Sequence, residues 1–64
     1  MNLKRYYGQT VSITSINNQL FVGIVSDYFY PEDNESNVES IVVDTPKNGI
    51  VEFCEKDIKK ITII

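Results

Sequence analysis

Apolar and polar residues alternate from Gly8 to Ser15, with Val11 and Ile13 on one side and Thr10, Ser12 and Thr14 on the other. That spacing predicts a strand with one buried face. Asn17-Asn18 follows, two residues that tolerate positive φ and suit a tight hairpin turn. The next run, Gln19 to Phe29, is apolar on both sides: Leu20, Val22 and Ile24 point one way, Phe21 and Val25 the other. Such a strand is expected to be central or strongly bent. Gly23 in its middle removes a side chain where a small barrel must curl sharply or let another backbone approach.

Pro31 to Asn37 gathers Pro, Asp, Asn and Ser with three carboxylates and reads as a loop. Ser40 to Thr45 gives a third strand, and Pro46-Lys47-Asn48-Gly49 is a turn signal joining it to a fourth, Ile50 to Cys54. In that fourth strand Val51 and Phe53 are expected inside and Glu52 in water. Glu55-Lys56-Asp57 reads as a single helical turn, after which Ile58, Ile61 and Ile63 resume the apolar pattern as a fifth strand. At the other end, Asn2 to Tyr7 is expected to be a short helix capped by Asn2, laying Leu3 and Tyr6 or Tyr7 against one end of the sheet. Composition agrees with strands: of 64 residues Val and Ile supply 16 and Leu two, with neither Ala nor Trp. The fold class read from the chain is all-β, a single domain over residues 1–64, built as a small five-stranded SH3-like barrel with a short N-terminal helix and a one-turn helix before the last strand.

The order of residues resembles one family. Leu3-Lys4-Arg5-Tyr6-Tyr7-Gly8-Gln9-Thr10-Val11-Ser12-Ile13 is similar to the opening of Sm-like proteins of bacteria, where a short helix leads through a glycine into a strand. Asn17 to Tyr28 resembles their first motif, with Gly23 in the place of its glycine and Val25 in that of its aliphatic partner. The resemblance implies a Sm-like barrel, and it implies homo-oligomers assembled by pairing the edge strands of neighbouring barrels. The family's RNA-reading residues do not carry over. Phe29-Tyr30-Pro31-Glu32-Asp33-Asn34-Glu35 stands where an Asp-x-x-Met-Asn segment belongs, and Phe53-Cys54-Glu55-Lys56-Asp57-Ile58 where an Ile-Arg-Gly turn belongs.

Charge changes the picture more than its sum of −3 suggests. No Lys or Arg occurs between Tyr6 and Pro46, while Asp27, Glu32, Asp33, Glu35, Glu39 and Asp44 all do. An acidic middle of this kind repels a polyanion and attracts a cationic partner, or it is simply a solvated loop. A lone cysteine, Cys54, gives no internal disulfide and points to a reducing compartment, with the thiol as a small buried hydrophobe. Polar residues interrupt the first ten positions, and no apolar run approaches membrane-spanning length. The expectation is a cytoplasmic protein that is not an enzyme. Without histidine the serine and cysteine triads have no base, the glycines make no phosphate loop, and Asp33, Asn34 and Glu35 lack Ca²⁺-loop spacing. No cofactor and no metal are expected.

Two surfaces remain. Tyr28, Tyr30, Glu32, Asp33 and Glu35 place aromatics beside carboxylates, the combination with which SH3-type grooves hold a basic or proline-rich protein segment. The plainer alternative has Phe29 capping the barrel and the tyrosine hydroxyls wet at its rim. The second surface is basic. Lys56, Lys59 and Lys60 could join Lys4 and Arg5 if the fifth strand pairs with the first, giving a phosphate-binding edge for RNA. Its weakness is that the aromatics needed for base stacking sit in the acidic half.

Overall fold

The computed structural model describes every residue from Met1 to Ile64. Strand β1 (Thr10–Ser15) buries Val11, Ile13 and Ser15 and turns Thr10, Ser12 and Thr14 away from the core. Asn18, with φ 66°, makes the turn into β2 (Leu20–Phe29), and the Ser15 hydroxyl accepts the Gln19 N–H at 3.1 Å. Strands β3 (Ser40–Thr45) and β4 (Gly49–Cys54) form the second hairpin. Its turn is held by the Thr45 hydroxyl, which accepts the Asn48 N–H at 2.9 Å and donates to the Gly49 carbonyl at 2.7 Å. A 3-10 turn at Glu55–Asp57 leads into β5 (Ile58–Ile63).

The five strands make one antiparallel sheet in the order β4-β3-β2-β1-β5. Its inner face holds Leu3, Val11, Ile13, Val25, Ile41, Val43, Phe53 and Ile58 in one cluster, with Tyr6, Phe21, Tyr28, Val51 and Ile61 packed around it. Phe21 and Phe53 meet edge to face at 5.0 Å across the sheet. β2 lies in the middle, as its two apolar sides suggest, but only one side is covered: Leu20, Val22 and Ile24 are exposed on the outer face. No helix is long and apolar enough to cross a membrane.

Two local readings change. The N-terminal helix is a four-residue 3-10 turn, Leu3–Tyr6, and Asn2 makes no capping bond. Its leading N–H, from Leu3, goes instead to the Glu39 carboxylate at 2.9 Å, a partner 36 residues away that no local pattern reveals. The segment after β2 also holds a 3-10 turn, Pro31–Asp33, because proline suits the first helical position and its missing N–H is one that has no partner there.

Candidate interaction site

The register of β2 builds the site. Val25 pairs with Val43 and Asp27 with Val42, so Ser26 is an extra residue in the ladder. Such a bulge reverses which positions face inward beyond it. Strict alternation from Phe21 and Val25 would bring Phe29 inside. The bulge brings Tyr28 inside instead, opposite Ile41, and Tyr28 packs on the core cluster. Tyr28, not Phe29, therefore closes this end of the barrel.

The Tyr28 hydroxyl donates to Glu39 Oε1 at 3.0 Å, the same oxygen that takes the Leu3 N–H. Glu39 is only 7% exposed, and its backbone carbonyl accepts the Glu55 N–H at 3.0 Å. The Glu39 carboxylate thus joins the N-terminal turn to β2, and its backbone carbonyl joins both to the start of the last turn. Burial, then the bond to Glu39 and that carboxylate's charge, push the Tyr28 pKa up from 10.0 to about 12. Since the folded value lies above the ordinary one, the fold favours the neutral phenol. That contribution to stability is whole below pH 10 and is lost as pH rises through about 12. Tyrosinate absorbance is expected to show a step near pH 12 that Tyr28→Phe removes and Glu39→Gln shifts downward. Superimposable titrations of the wild type and Tyr28→Phe, scaled per tyrosine, would refute the assignment.

Outside this anchor, Tyr30 stands edge to face with Tyr28, ring centres 5.1 Å apart. The two rings border an open groove of about 360 Å³ lined by Lys4, Tyr7, Asp27, Tyr28 and Tyr30. Lys4 Nζ donates to the Tyr30 hydroxyl at 2.6 Å and lies 4.9 Å from its ring centre. Glu32 and Asp33, on the Pro31–Asp33 turn, and Glu35 just beyond are all exposed. None has an ion-pair partner, since the one salt bridge joins the Met1 ammonium to Glu55 at 3.2 Å. The loop that carries them is tied down by Asn34, whose amide donates to the Val38 carbonyl at 2.7 Å and to the Ser40 hydroxyl at 3.1 Å. Tyr7, Asp27 and Lys4 join this groove without a sequence signal. The first and last come from the N-terminal turn, which long-range contacts place here: the Leu3–Glu39 bond, the buried Leu3 side chain and the Gly8 N–H to the Val25 carbonyl at 2.9 Å.

The five basic residues are distributed differently. β5 pairs with β1, and the register sets Lys60 opposite Thr14, toward the end of β1 remote from the N-terminal turn. Lys59 donates to Asn18 Oδ1 at 2.8 Å in the β1–β2 turn, and Lys56 lies on the Glu55–Asp57 turn. Arg5 rests 5.3 Å from the Tyr6 ring centre, and Lys4 is held at Tyr30. No three Cys, Asp or Glu side chains gather as a metal site would require, and Cys54 is a free, half-buried thiol.

No family model, curated protein or solved structure matches the chain.

Proposed function

We propose that the protein is a non-catalytic interaction module of the Sm-like small-barrel type. It binds a basic or proline-rich protein segment at Tyr28 and Tyr30, beside Glu32, Asp33 and Glu35, and self-assembles through the free edges of β4 and β5. The observation that carries the binding reading is the Tyr28–Tyr30 pair bordering an open groove that Asp27 also lines, with three exposed carboxylates without cationic partners on the loop that follows Tyr30. Perpendicular rings offer apolar walls to a proline, and the acids offer charge to an Arg or Lys of the same segment. Lys4, seated on Tyr30, occupies ground that a ligand's own cation would take.

Lys4 also separates this reading from RNA binding through Lys4, Arg5, Lys56, Lys59 and Lys60. For a cationic peptide Lys4 is a competitor; for RNA it is a contact. Lys4→Gln is therefore expected to tighten binding of a proline- and arginine-rich peptide about threefold, and to weaken a phosphate-mediated complex. NMR titration with that peptide should move the Tyr28, Tyr30 and Asp33 signals, and Tyr30→Ala with Glu32→Lys and Asp33→Lys should remove the shifts. Peptide shifts that survive those substitutions would rule out this surface.

A further inference from the structure

The outer face of the sheet carries an apolar stripe that no part of the chain covers. On β2, Leu20, Val22 and Ile24 are 65%, 43% and 51% exposed, and on β4 Ile50 is 77% exposed. The registers put all four on one face. Asp44 pairs with Ile24 on one side and Ile50 on the other. Pro46 lies beside Val22, and two shallow hollows meet at these two residues. On neighbouring β1 the same face carries Thr10, Ser12 and Thr14, as a solvated sheet face ordinarily does. Three aliphatic side chains in a row on the middle strand break that rule, and a continuous exposed apolar patch marks an interface.

Two charges indicate what covers it. Asp44 stands beside Ile24, toward one end of the stripe, while Lys47 shares a hollow with Leu20 and Val22 at the other. Neither has an ion-pair partner within the chain. We propose that a second copy of this chain packs on the outer face, β2 against β2, about a two-fold axis through Val22. That axis lays Leu20 on the partner's Ile24 and sets Lys47 against the partner's Asp44. A two-fold interface repeats every contact, so one acid and one base at opposite ends of a stripe become two cross-pairs. The size also fits: a standard interface takes about 800 Å² from each partner. That is about a fifth of this chain's 4183 Å² surface, comparable with the broadest face of a molecule of 29 × 24 × 19 Å. This surface lies on the far side of the Ser26 bulge from the tyrosine groove, so the proposal stands or falls independently of the peptide-binding reading.

Sedimentation velocity from about micromolar to about millimolar protein should show a species of twice the 7.3 kDa chain mass. Val22→Glu sets two carboxylates together on the axis and is expected to weaken the dimer about a hundredfold, with the far-ultraviolet circular dichroism of the monomer preserved. Asp44→Lys and Lys47→Glu should each weaken it about tenfold, and the double exchange should return it to within about threefold of wild type. If edge pairing builds a larger assembly, Val22→Glu should halve its mass. A wild type that stays monomeric, or a mass that Val22→Glu leaves unchanged, overturns the proposal. Failure of the double exchange to restore association overturns the two-fold register, and that result stands even if Val22→Glu does not fold.

Discussion

Gly23→Ala is expected to remove a large share of the protein's stability. A methyl group placed on Gly23 would collide with the Asp44 carbonyl oxygen and lie 2.9 Å from its carbonyl carbon and 3.0 Å from a Val43 methyl. The first two are backbone atoms of β3, held in the ladder by pairing to β2 on one side and β4 on the other. They cannot rotate away as a side chain would, so relief requires β2 and β3 to part at this position. Overpacking of a core costs about 1–3 kcal/mol and more where, as here, the atoms met are backbone. A 64-residue domain commonly has only about 3–10 kcal/mol in all. Gly49→Ala is the control: φ there is +73°, yet nothing lies within 4 Å of the added carbon. Its cost is conformational, about 1–2 kcal/mol. Urea titrations followed by circular dichroism should therefore rank Gly23→Ala well below Gly49→Ala. A Gly23→Ala midpoint equal to wild type would show that the two strands are not in contact there.

Gly23 was readable in the sequence because a glycine inside an apolar strand has few explanations other than a close backbone approach. The hairpins were readable for the same local reason: Asn17-Asn18 and Pro46 to Gly49 carry their turn chemistry within three or four residues. The inner face of β1 follows from simple alternation. What failed to show were features set by pairing rather than by periodicity. The Ser26 bulge exists because β3 pairs Val43 with Val25 and Val42 with Asp27, and nothing in Val25-Ser26-Asp27 announces the extra residue. It nevertheless exchanges the roles of Tyr28 and Phe29. The apolar outer side of β2 was visible as a pattern, but the pattern alone suggests cover on both faces. Only the exposure of Leu20, Val22 and Ile24 in the folded chain shows that one face has none.

The groove depends on the same kind of hidden pairing. Tyr30 and Lys4 meet because the N-terminal turn is fastened to the sheet, and Glu39 supplies its buried side-chain fastening. Within the sequence Glu39 is one acid among six in a stretch without cations, and its neighbours Glu32, Asp33 and Glu35 are all in water. Burial of this one follows from its position next to β3, where the Leu3 N–H and the Tyr28 hydroxyl converge on a single oxygen.

Glu39→Leu is accordingly expected to cost about 2–4 kcal/mol, because two donors lose their acceptor at once and the Leu3 N–H is buried. Glu39→Gln should cost less, about 1 kcal/mol, since an amide oxygen can still accept from both donors with weaker, uncharged bonds. Tyr28→Phe removes one donor and leaves the Leu3 bond in place, so its effect should fall below that of Glu39→Leu. In the double variant Glu39→Leu with Tyr28→Phe the losses should be clearly less than additive, as expected when two side chains share one bond. Amide exchange supplies the readout that a general loss of stability would not. The Leu3 N–H should lose protection in Glu39→Leu while amides at the centre of β1, such as Ile13, keep the ranking they have in the wild type. Equal loss at Leu3 and Ile13 would mean that Glu39 supports the whole sheet rather than the N-terminal turn. The tyrosine groove would then be expected to survive only as long as the fold does. Selective loss at Leu3 makes Glu39 the residue through which the N-terminal turn, and with it Lys4 and Tyr7, is kept at the groove.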